Sequence, residues 1–514
     1  MKKIDRRSFL RTTSAAGGMV LVSPYLDGAW FVQSNKGSTG YFESEFGISM
    51  EMCRKLLETA LMRGGDFADL YFEHTLNNWL MLEDGKVNQS YGIVKLGVGI
   101  RTVKGDQIGY GYTEDLSDEA MLSAAKTASS LVTETQTTVA SAFTKLSAKN
   151  YYPLQNLNEV PLTDKLPLVQ TINTKCFEKS GYIKNVRAGF HDSMKRIMVV
   201  TSDGLIAEDI IPRNYLYASV VAEKDGKNEQ SGWNLGGRHD FSYYSTDVAE
   251  NISDEVVKRA VKQFDAIQPP AGEMPVVLGP GVTGILLHEA IGHGMEADFN
   301  RKNISTYSTM IGKKVAEPFV TIVDDGTIDQ QLGSINFDDE GSQSQRTVLV
   351  ENGVMTSYLH DKISAKYYGV KPTGNGRRES YEHQPVPRMR NTYMMSGDES
   401  PEDVIKKAKN GIYIEDVSNG QVKIGEGDFA FYVSQGRMIE DGKLTAPIKD
   451  VNIMGNGPKM LANITAVAND LKIHEGGAGS CGKAGQSVPV SFGLPTCLVK
   501  SLTVGGTKQM GGVS

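Results

Sequence analysis

The 514-residue sequence has few cysteines, no long apolar run and no basic stripe. Its four cysteines are widely scattered and lack zinc-finger spacing, so a disulfide framework is not predicted. No uninterrupted apolar stretch reaches the length that a membrane span needs. The net charge of −7 argues against nucleic acid as a main partner. What remains is an ordinary globular composition, with 40% hydrophobic and 22% charged residues.

The length and the periodicity of the chain predict an α+β protein of two or three domains. Residues 45–145 and 155–268 each combine antiparallel strands with flanking helices, and Ser117 is a good N-cap for one of those helices. A proline and glycine cluster near residue 270 marks the next boundary. Residues 272–510 are richer in short strands and glycine turns, which predicts a β-rich, barrel-like catalytic domain.

The first residues, 1–30, have the pattern of a twin-arginine export signal. Arg6-Arg7-Ser8-Phe9-Leu10 precedes a mildly apolar stretch that contains glycine. The alternative is a basic first turn of a helix. The pattern predicts a periplasmic protein that is exported already folded. Because no clean small-x-small cleavage triplet follows, retention by an uncleaved N-terminal anchor stays open.

The segment from His288 to His293 places two imidazoles and the carboxylate of Glu289 within six residues. Neutral imidazole is the commonest metal ligand, and a glutamate beside the first histidine is where a zinc hydrolase keeps its general base. On a regular helix, residues i and i+5 point about 140° apart. Convergence of the two rings therefore needs a bulged turn or an early helix end, which Gly292 and Gly294 would permit. Two unrelated neighbouring histidines are the alternative.

A zinc hydrolase also needs a third protein ligand and one open position for water. Two local candidates, Glu296 and Asp298, follow the second histidine. A distant candidate is Cys481, whose neighbouring glycines let the backbone come close to an ion. Most lone cysteines are only small buried hydrophobes, so the residues by themselves leave the choice open.

A cluster of cations near these segments is the strongest candidate for substrate binding; it contains Arg377, Arg378, Arg388 and Arg390. Arg378 and Arg388 are predicted to clamp a substrate carboxylate or the oxyanion, and Tyr381 is a further candidate donor. The alternative for Tyr381 is packing alone. The alternative for the arginines is pairing with nearby carboxylates, namely Asp338, Asp339, Glu340 and Glu379.

An ordered series of segments resembles the TldD/PmbA family of metallopeptidases, and the TldD branch most closely. In the second half the segments are 288–294, 323–326, 338–341, 349–353, 374–381, 387–392 and 480–486. In the first half they are 82–85 and 97–101. The resemblance runs from about Ile48 to Thr507, and its set of motifs is highly specific.

The resemblance implies a zinc peptidase in which His288, His293 and Cys481 bind the metal and Glu289 is the general base. It leaves supporting or structural roles to Glu296 and Asp298. It also implies unfolded or extended peptide substrates, and a homodimer or a heterodimer with a paralogue of the family. The export signal departs from the familiar cytoplasmic members and leaves compartment, partner and substrate open. A non-catalytic partner subunit and a zinc amidase acting on a small molecule are the alternative functions.

Overall fold

The computed structural model describes residues 40–130 and 138–505. The predicted export signal lies outside the described residues. The described helices are α1 (Tyr41–Phe46), α2 (Met50–Ala60), α3 (Asp118–Ser129), α4 (Leu162–Lys179), α5 (Thr246–Lys262), α6 (Gly284–Leu287), α7 (Ala297–Arg301), α8 (Lys362–Tyr368), α9 (Pro401–Ala408) and α10 (Gly457–Ala462). None of the helices in these ranges combines the length and the apolar character needed to cross a bilayer.

The first twelve described strands are β1 (Phe67–Glu83), β2 (Lys86–Lys104), β3 (Gln107–Thr113), β4 (Thr144–Lys145), β5 (Ile183–Thr201), β6 (Leu205–Lys224), β7 (Lys227–Gly237), β8 (Gly272–Leu278), β9 (Ile322–Asp325), β10 (Arg346–Glu351), β11 (Val354–Met355) and β12 (Gly376–Arg377). The remaining strands are β13 (Val386–Pro387), β14 (Asn391–Met394), β15 (Gly411–Lys423), β16 (Asp428–Glu440), β17 (Lys443–Ile448), β18 (Val451–Asn456), β19 (Ile464–Val467), β20 (Lys472–Ile473), β21 (Ser480–Lys483), β22 (Gln486–Pro489), β23 (Ser491–Leu494) and β24 (Cys497–Gly505).

A seven-stranded sheet, called here the N-terminal sheet, contains β1 to β7 in the order β3-β2-β1-β5-β6-β4, with β7 also on β6. Because β1 pairs with β5 along almost its whole length, the two segments predicted as separate α+β units contribute to one sheet. The two-residue period of a strand separates its side chains onto two faces. One face is apolar at Leu80, Phe190 and Leu216, and it packs against α4 and α5. The other face carries charged, polar and aromatic side chains, such as Lys195 and Trp79, and turns towards the C-terminal domain.

The C-terminal half contains a closed five-stranded barrel. Its strands follow the order β15-β8-β24-β18-β16, and the pairing of β16 with β15 closes the ring. Buried side chains of these strands, such as Val276, Ile412 and Ile453, belong to the main hydrophobic cluster of the domain. A second, six-stranded sheet runs in the order β11-β10-β9-β14-β23-β20. The prediction of an α+β protein whose C-terminal half is β-rich and barrel-like is therefore confirmed.

Candidate metal centre

The two histidines of the motif lie on a helix that changes its hydrogen bonding at the first histidine. The short helix α6 follows β8 through a turn at Gly281, whose φ of +84° favours glycine. From His288 to Gly292 the helix widens into a single π-turn, in which the N–H of His293 donates to the carbonyl of His288. A π-turn closes across five residues, so it brings positions i and i+5 towards the same side. The bulged turn that the spacing of the two histidines requires is therefore this π-turn.

The two imidazole rings lie close together inside the protein. Their centroids are 5.1 Å apart and their planes cross at 82°. The glycines beside His293 serve packing rather than an unusual backbone, since Gly292 has an ordinary helical φ of −58°. A Cβ at Gly292 would collide with Met389, and a Cβ at Gly294 would lie 2.7 Å from the Tyr307 ring. These glycines therefore let Met389 and Tyr307 pack directly against the backbone on either side of His293.

The cysteine reaches the same place from a β-hairpin formed by β21 and β22, in which Cys481 faces Val488. The hairpin turns through Ala484 and Gly485, which have φ values of +54° and +73°. Two consecutive positive φ values are the mark of a type I′ turn, whose twist matches that of the strands. The sulfur of Cys481 is buried and lies 3.2 Å from Nε2 of His293.

One donor atom each of His288, His293 and Cys481 lies within 4.8 Å of the other two. Burial raises the pKa of the Cys481 thiol, but the adjacent imidazoles outweigh burial and hold that pKa well below its ordinary value. Burial lowers the pKa of His293, but Glu296 and Cys481 outweigh it and raise that pKa. The three side chains thus form a compact group in which the sulfur favours the thiolate form.

This donor set fits a metal ion. Both ring nitrogens of His288 are buried and have no hydrogen-bond partner among the described residues, which is costly unless another group binds them. Two imidazole nitrogens and one thiolate suit a borderline-soft divalent transition metal. Within residues 40–130 and 138–505 no other group of histidine, cysteine and acidic side chains has this geometry.

Glu289 is the partly exposed acidic residue of the motif. About 28% of its side chain is accessible, and its Oε2 lies 3.6 Å from Nε2 of His293. That nitrogen also faces the sulfur of Cys481, so the carboxylate lies beside the three converging donors. A carboxylate in this position can exchange a proton with a group bound at the metal centre.

Glu296 lies behind His293 rather than among the converging donors. Its Oε2 is 2.9 Å from Nδ1 of His293 and 3.0 Å from Nζ of Lys483. Burial raises the pKa of Glu296, but Lys483 and His293 outweigh it and lower that pKa to about 2. The ionised carboxylate accepts the Nδ1 hydrogen and leaves Nε2 free to face Cys481, an arrangement that orients metal-binding imidazoles. Asp298 contacts only the lysine of this group, at 2.8 Å.

Lys483 is a site residue that the sequence reasoning missed. It lies two positions after Cys481 on the same strand, so both side chains project from one face of the hairpin. Its Nζ also donates to the carbonyl of Pro387 at 2.9 Å. The alternation from Cys481 to Lys483 before the Ala-Gly turn was the signal available in the sequence. A lysine with three oxygen partners holds the hairpin against the histidine segment.

Among the predicted substrate-binding residues, Arg388 contacts the metal-centre hairpin. It is fully buried and donates to the carbonyl of Cys481 and, at 3.4 Å, to that of Gln486. Arg388 therefore supports the backbone at the cysteine. Arg390 pairs instead with Asp324, at 2.9 Å.

Arg378 and Tyr381 face the N-terminal sheet. The guanidinium of Arg378 lies 3.3 Å from Asp69 and over the Tyr71 ring. The ring of Tyr381 packs against Gly97. None of the four clustered arginines forms an ion pair with the carboxylates expected from the sequence; among the described residues, the charged partners are Asp69 and Asp324. The structure does not bring Arg378 and Tyr381 to the three converging donors.

Three family models match the chain in order. The PmbA/TldA metallopeptidase domain 1 matches residues 68–132, the central domain matches 155–264, and the C-terminal domain matches 271–506. The "Metalloprotease TldD homolog" of Buchnera aphidicola subsp. Acyrthosiphon pisum is 38% identical over 462 residues, which cover 88% of this chain and 95% of that protein. The protein of the same name from Haemophilus influenzae is 36% identical over 468 residues, covering 90% and 97%.

Two solved structures show the same fold at low identity. A proposed modulator of DNA gyrase from Thermotoga maritima superposes with a TM-score of 0.72 at 23% identity, covering 88% of this chain and 99% of that chain. TldE from Thermococcus kodakarensis superposes with a TM-score of 0.68 at 18% identity, covering 88% and 100%.

Proposed function

This chain belongs to the PmbA/TldD metallopeptidase family, and we propose that it is a zinc-dependent peptidase that hydrolyses unfolded or extended peptides. The observation that carries the proposal is the convergence of His288, His293 and Cys481 beside Glu289. Three protein donors of this kind, with a fourth position left for another ligand, are typical of catalytic zinc. Zinc bound there would supply Lewis acidity towards the carbonyl of the scissile bond.

In this proposal Glu289 is the general base. Its carboxylate accepts a proton from the attacking water and later returns it to the nitrogen of the leaving amine. The partial exposure of Glu289 supports this role, because the proton carrier must reach both water and substrate. Glu296 holds the ring of His293 and stays ionised through the neutral range. A thiolate ligand donates more charge than a third imidazole, so we expect a weaker Lewis acid than in three-histidine sites.

Metal analysis combined with hydrolysis of an unstructured peptide tests this function. We expect about one zinc per chain and cleavage that stops when a chelator removes the metal. Cleavage should return when zinc is added back. A metal-loaded protein that cleaves no unstructured peptide but hydrolyses small amides would instead support the amidase alternative. A protein that binds metal and cleaves neither would support a non-catalytic subunit.

We also propose that the active form pairs with a second subunit of the same family, as a homodimer or with a paralogue. The likeness in fold to a TldE protein supports this proposal. Light scattering of the purified chain, alone and mixed with a family paralogue from the same genome, distinguishes the two forms. A chain that stays monomeric in both samples would contradict the proposal.

The compartment that we propose is the periplasm, reached in the folded state through the twin-arginine route. The support is the Arg6-Arg7-Ser8-Phe9-Leu10 pattern, which lies outside the described residues. Cell fractionation of the natural chain and of a variant with both arginines changed to lysine tests it. We expect the natural chain in the periplasm and the variant in the cytoplasm.

A further inference from the structure

A cleft of about 370 Å³ lies between one face of the N-terminal sheet and the C-terminal domain. On the sheet side, alternate residues of four strands line it, including Trp79, His191 and Tyr215. On the catalytic side, Arg377 and Ser487 are among its lining residues. The cleft is separate from the group of three donors, and the roles proposed above do not use it.

The cleft has a surplus of three positive charges. Its six cationic side chains are Lys95, Lys195, Arg213, Arg238, Arg377 and Arg378. Its three carboxylates are Glu73, Asp339 and Glu379. The surplus is notable because the whole chain has a net charge of −7. Local positive charge in a negatively charged protein is a feature expected of a site that attracts anions.

Two of the six cations have a carboxylate partner. Lys195 lies 3.6 Å from Glu73, and Arg378 lies 3.3 Å from Asp69. The other four form no ion pair with a described carboxylate; they are Lys95, Arg213, Arg238 and Arg377. Four cations of the cleft therefore have no carboxylate within ion-pair distance among the described residues.

The three unpaired arginines donate instead to backbone carbonyls. Arg213 donates to Gly477 at 3.0 Å, and Arg377 donates to Met389 at 2.6 Å. Arg238 donates to the carbonyl of Pro212 at 2.7 Å. A carbonyl accepts a hydrogen bond but does not neutralise the charge. Each of these contacts fixes the position of a guanidinium that still lacks a counter-ion.

Burial makes this arrangement costly. Arg238 and Arg377 are only 1% and 4% exposed. Burial lowers the pKa of Arg238 to about 10 and that of Arg377 to about 9. Nε of Arg238 and Nδ1 of His191, both buried at the cleft, have no hydrogen-bond partner among the described residues. Buried cations and donors without partners are normally stabilised by a bound anion or by paired side chains.

The cleft adjoins the hairpin that carries the cysteine. Ser487, which lines the cleft, faces Gly482 across the hairpin, and Gly482 is the residue next to Cys481. Arg213 also donates to the carbonyl of Ala478 at 3.1 Å, on the segment that leads into β21. A ligand in the cleft would therefore lie close to the metal centre. An extended peptide, which rises about 3.3 Å per residue, would need only a few residues to reach from one to the other.

We propose that this cleft binds a carboxylate of the peptide substrate, either its C-terminal carboxylate or an acidic side chain. The proposal rests on the peptidase function proposed above. Guanidinium groups recognise carboxylates through paired hydrogen bonds, and the cleft presents several of them without anionic partners. Apolar and aromatic side chains on the same sheet face, among them Trp79, Ile93 and Tyr215, provide contacts for the rest of a peptide. An anchored carboxylate would set the position of cleavage relative to itself.

Binding is measured with the metal-loaded Glu289→Gln protein, so that the peptide stays intact. The probes are an unstructured peptide labelled at its N-terminus, its C-terminal amide, and versions with each internal glutamate changed to glutamine. Removal of the carboxylate that the cleft binds should weaken binding roughly tenfold, because a hydrogen bond to a charged group is lost. The amide and the glutamine versions identify which carboxylate it is. Equal affinities for all versions, or no binding of any, would overturn the proposal.

Two cleft variants in the same background locate the binding, Lys95→Gln and Arg213→Gln. Both residues are only partly buried, so the fold should tolerate the change. We expect them to weaken binding of the acidic peptide and to leave binding of its neutral version unchanged. Arg437→Gln is the matched control, because Arg437 is also partly buried and also donates only to a backbone carbonyl, that of Thr445. Equal losses for both peptides would overturn the proposal.

Metal content and hydrolysis separate this proposal from the proposed function. Unchanged zinc content in the cleft variants shows that a loss of binding does not come from a disturbed metal centre. Carboxylate-dependent binding without hydrolysis by the natural protein would contradict the peptidase function and leave the cleft assignment standing. If the natural protein hydrolyses acidic and neutral peptides and binds them equally well, the peptidase function stands and the cleft assignment is contradicted.

Discussion

Glu296 and Lys483 form a buried ion pair, 3.0 Å long, that joins the histidine segment to the cysteine hairpin. The carboxylate of Glu296 also accepts the Nδ1 hydrogen of His293. One side chain therefore orients a candidate ligand and anchors the strand that carries another, Cys481. The positions of two of the three donors, His293 and Cys481, therefore depend on Glu296 and Lys483, which are not donors themselves.

The first prediction concerns this link. Glu296→Gln keeps the shape of the side chain but removes the charge that faces His293 and Lys483. We expect metal affinity to fall by about tenfold to a hundredfold, which is typical when the group that orients a metal-binding histidine is lost. Competition with a chelator of known affinity measures the change. Asp298→Asn is the control, because Asp298 contacts the same lysine but not the histidine. Equal losses in the two variants would show that the lysine contact, not ring orientation, controls the affinity.

The second prediction concerns Glu289. Glu289→Gln removes the proton acceptor and keeps the size of the side chain. We expect peptide hydrolysis to fall by about 10² to 10⁴, the usual contribution of a general base, while zinc content stays the same. Steady-state rates on an unstructured peptide and metal analysis of the same sample measure both quantities. Full activity in the metal-loaded variant would eliminate Glu289 as the base.

The third prediction concerns Cys481. Cys481→Ala removes the sulfur that lies 3.2 Å from His293, so we expect a lower zinc content and a loss of activity. Cys497→Ala is the matched control, since Cys497 is also buried but lies on the barrel strand β24. Burial raises the pKa of that thiol to about 12, so it is a neutral packing residue. An unchanged zinc content in Cys481→Ala would eliminate Cys481 as a metal ligand.

The need for a bulge in the histidine segment could be predicted from the sequence, because a regular helix cannot bring residues 288 and 293 to one side. The N-cap of α3 could also be predicted, since Ser117 accepts the N–H of Ala120 in the structure. Both features depend on neighbouring residues. Local patterns of this kind are visible in a single sequence.

The pairing of distant segments could not be predicted in the same way. The pairing of β1 with β5 places Trp79 opposite His191, and nothing near either residue selects the other. A strand with alternating side chains fits several neighbours equally well. The same limit applies to the contact between Cys481 and His293, which came from a family resemblance and not from spacing. Lys483 was missed because its partners lie far away in the chain.

The last prediction concerns acid stability. His360 is buried against Tyr358 and Tyr368, and burial lowers its pKa to about 4. In the unfolded chain its pKa is about 6.5, so the unfolded state binds more protons between these two values. Stability from this residue is therefore complete above about pH 6.5 and is lost as the pH falls towards 4. At pH 5 the loss should be about 2 kcal/mol in the free energy of unfolding.

Denaturant unfolding of the natural protein and of His360→Phe, at neutral pH and at pH 5, tests this argument. Other acid-sensitive groups, including the metal centre, act equally in both proteins, so the difference between the two pH dependences isolates His360. We expect the variant to lose less stability on acidification than the natural protein. His383→Phe is the control, because His383 is only partly buried. An identical pH dependence in the natural protein and in His360→Phe would mean that His360 becomes protonated without unfolding, through a local opening of the two tyrosine rings around it.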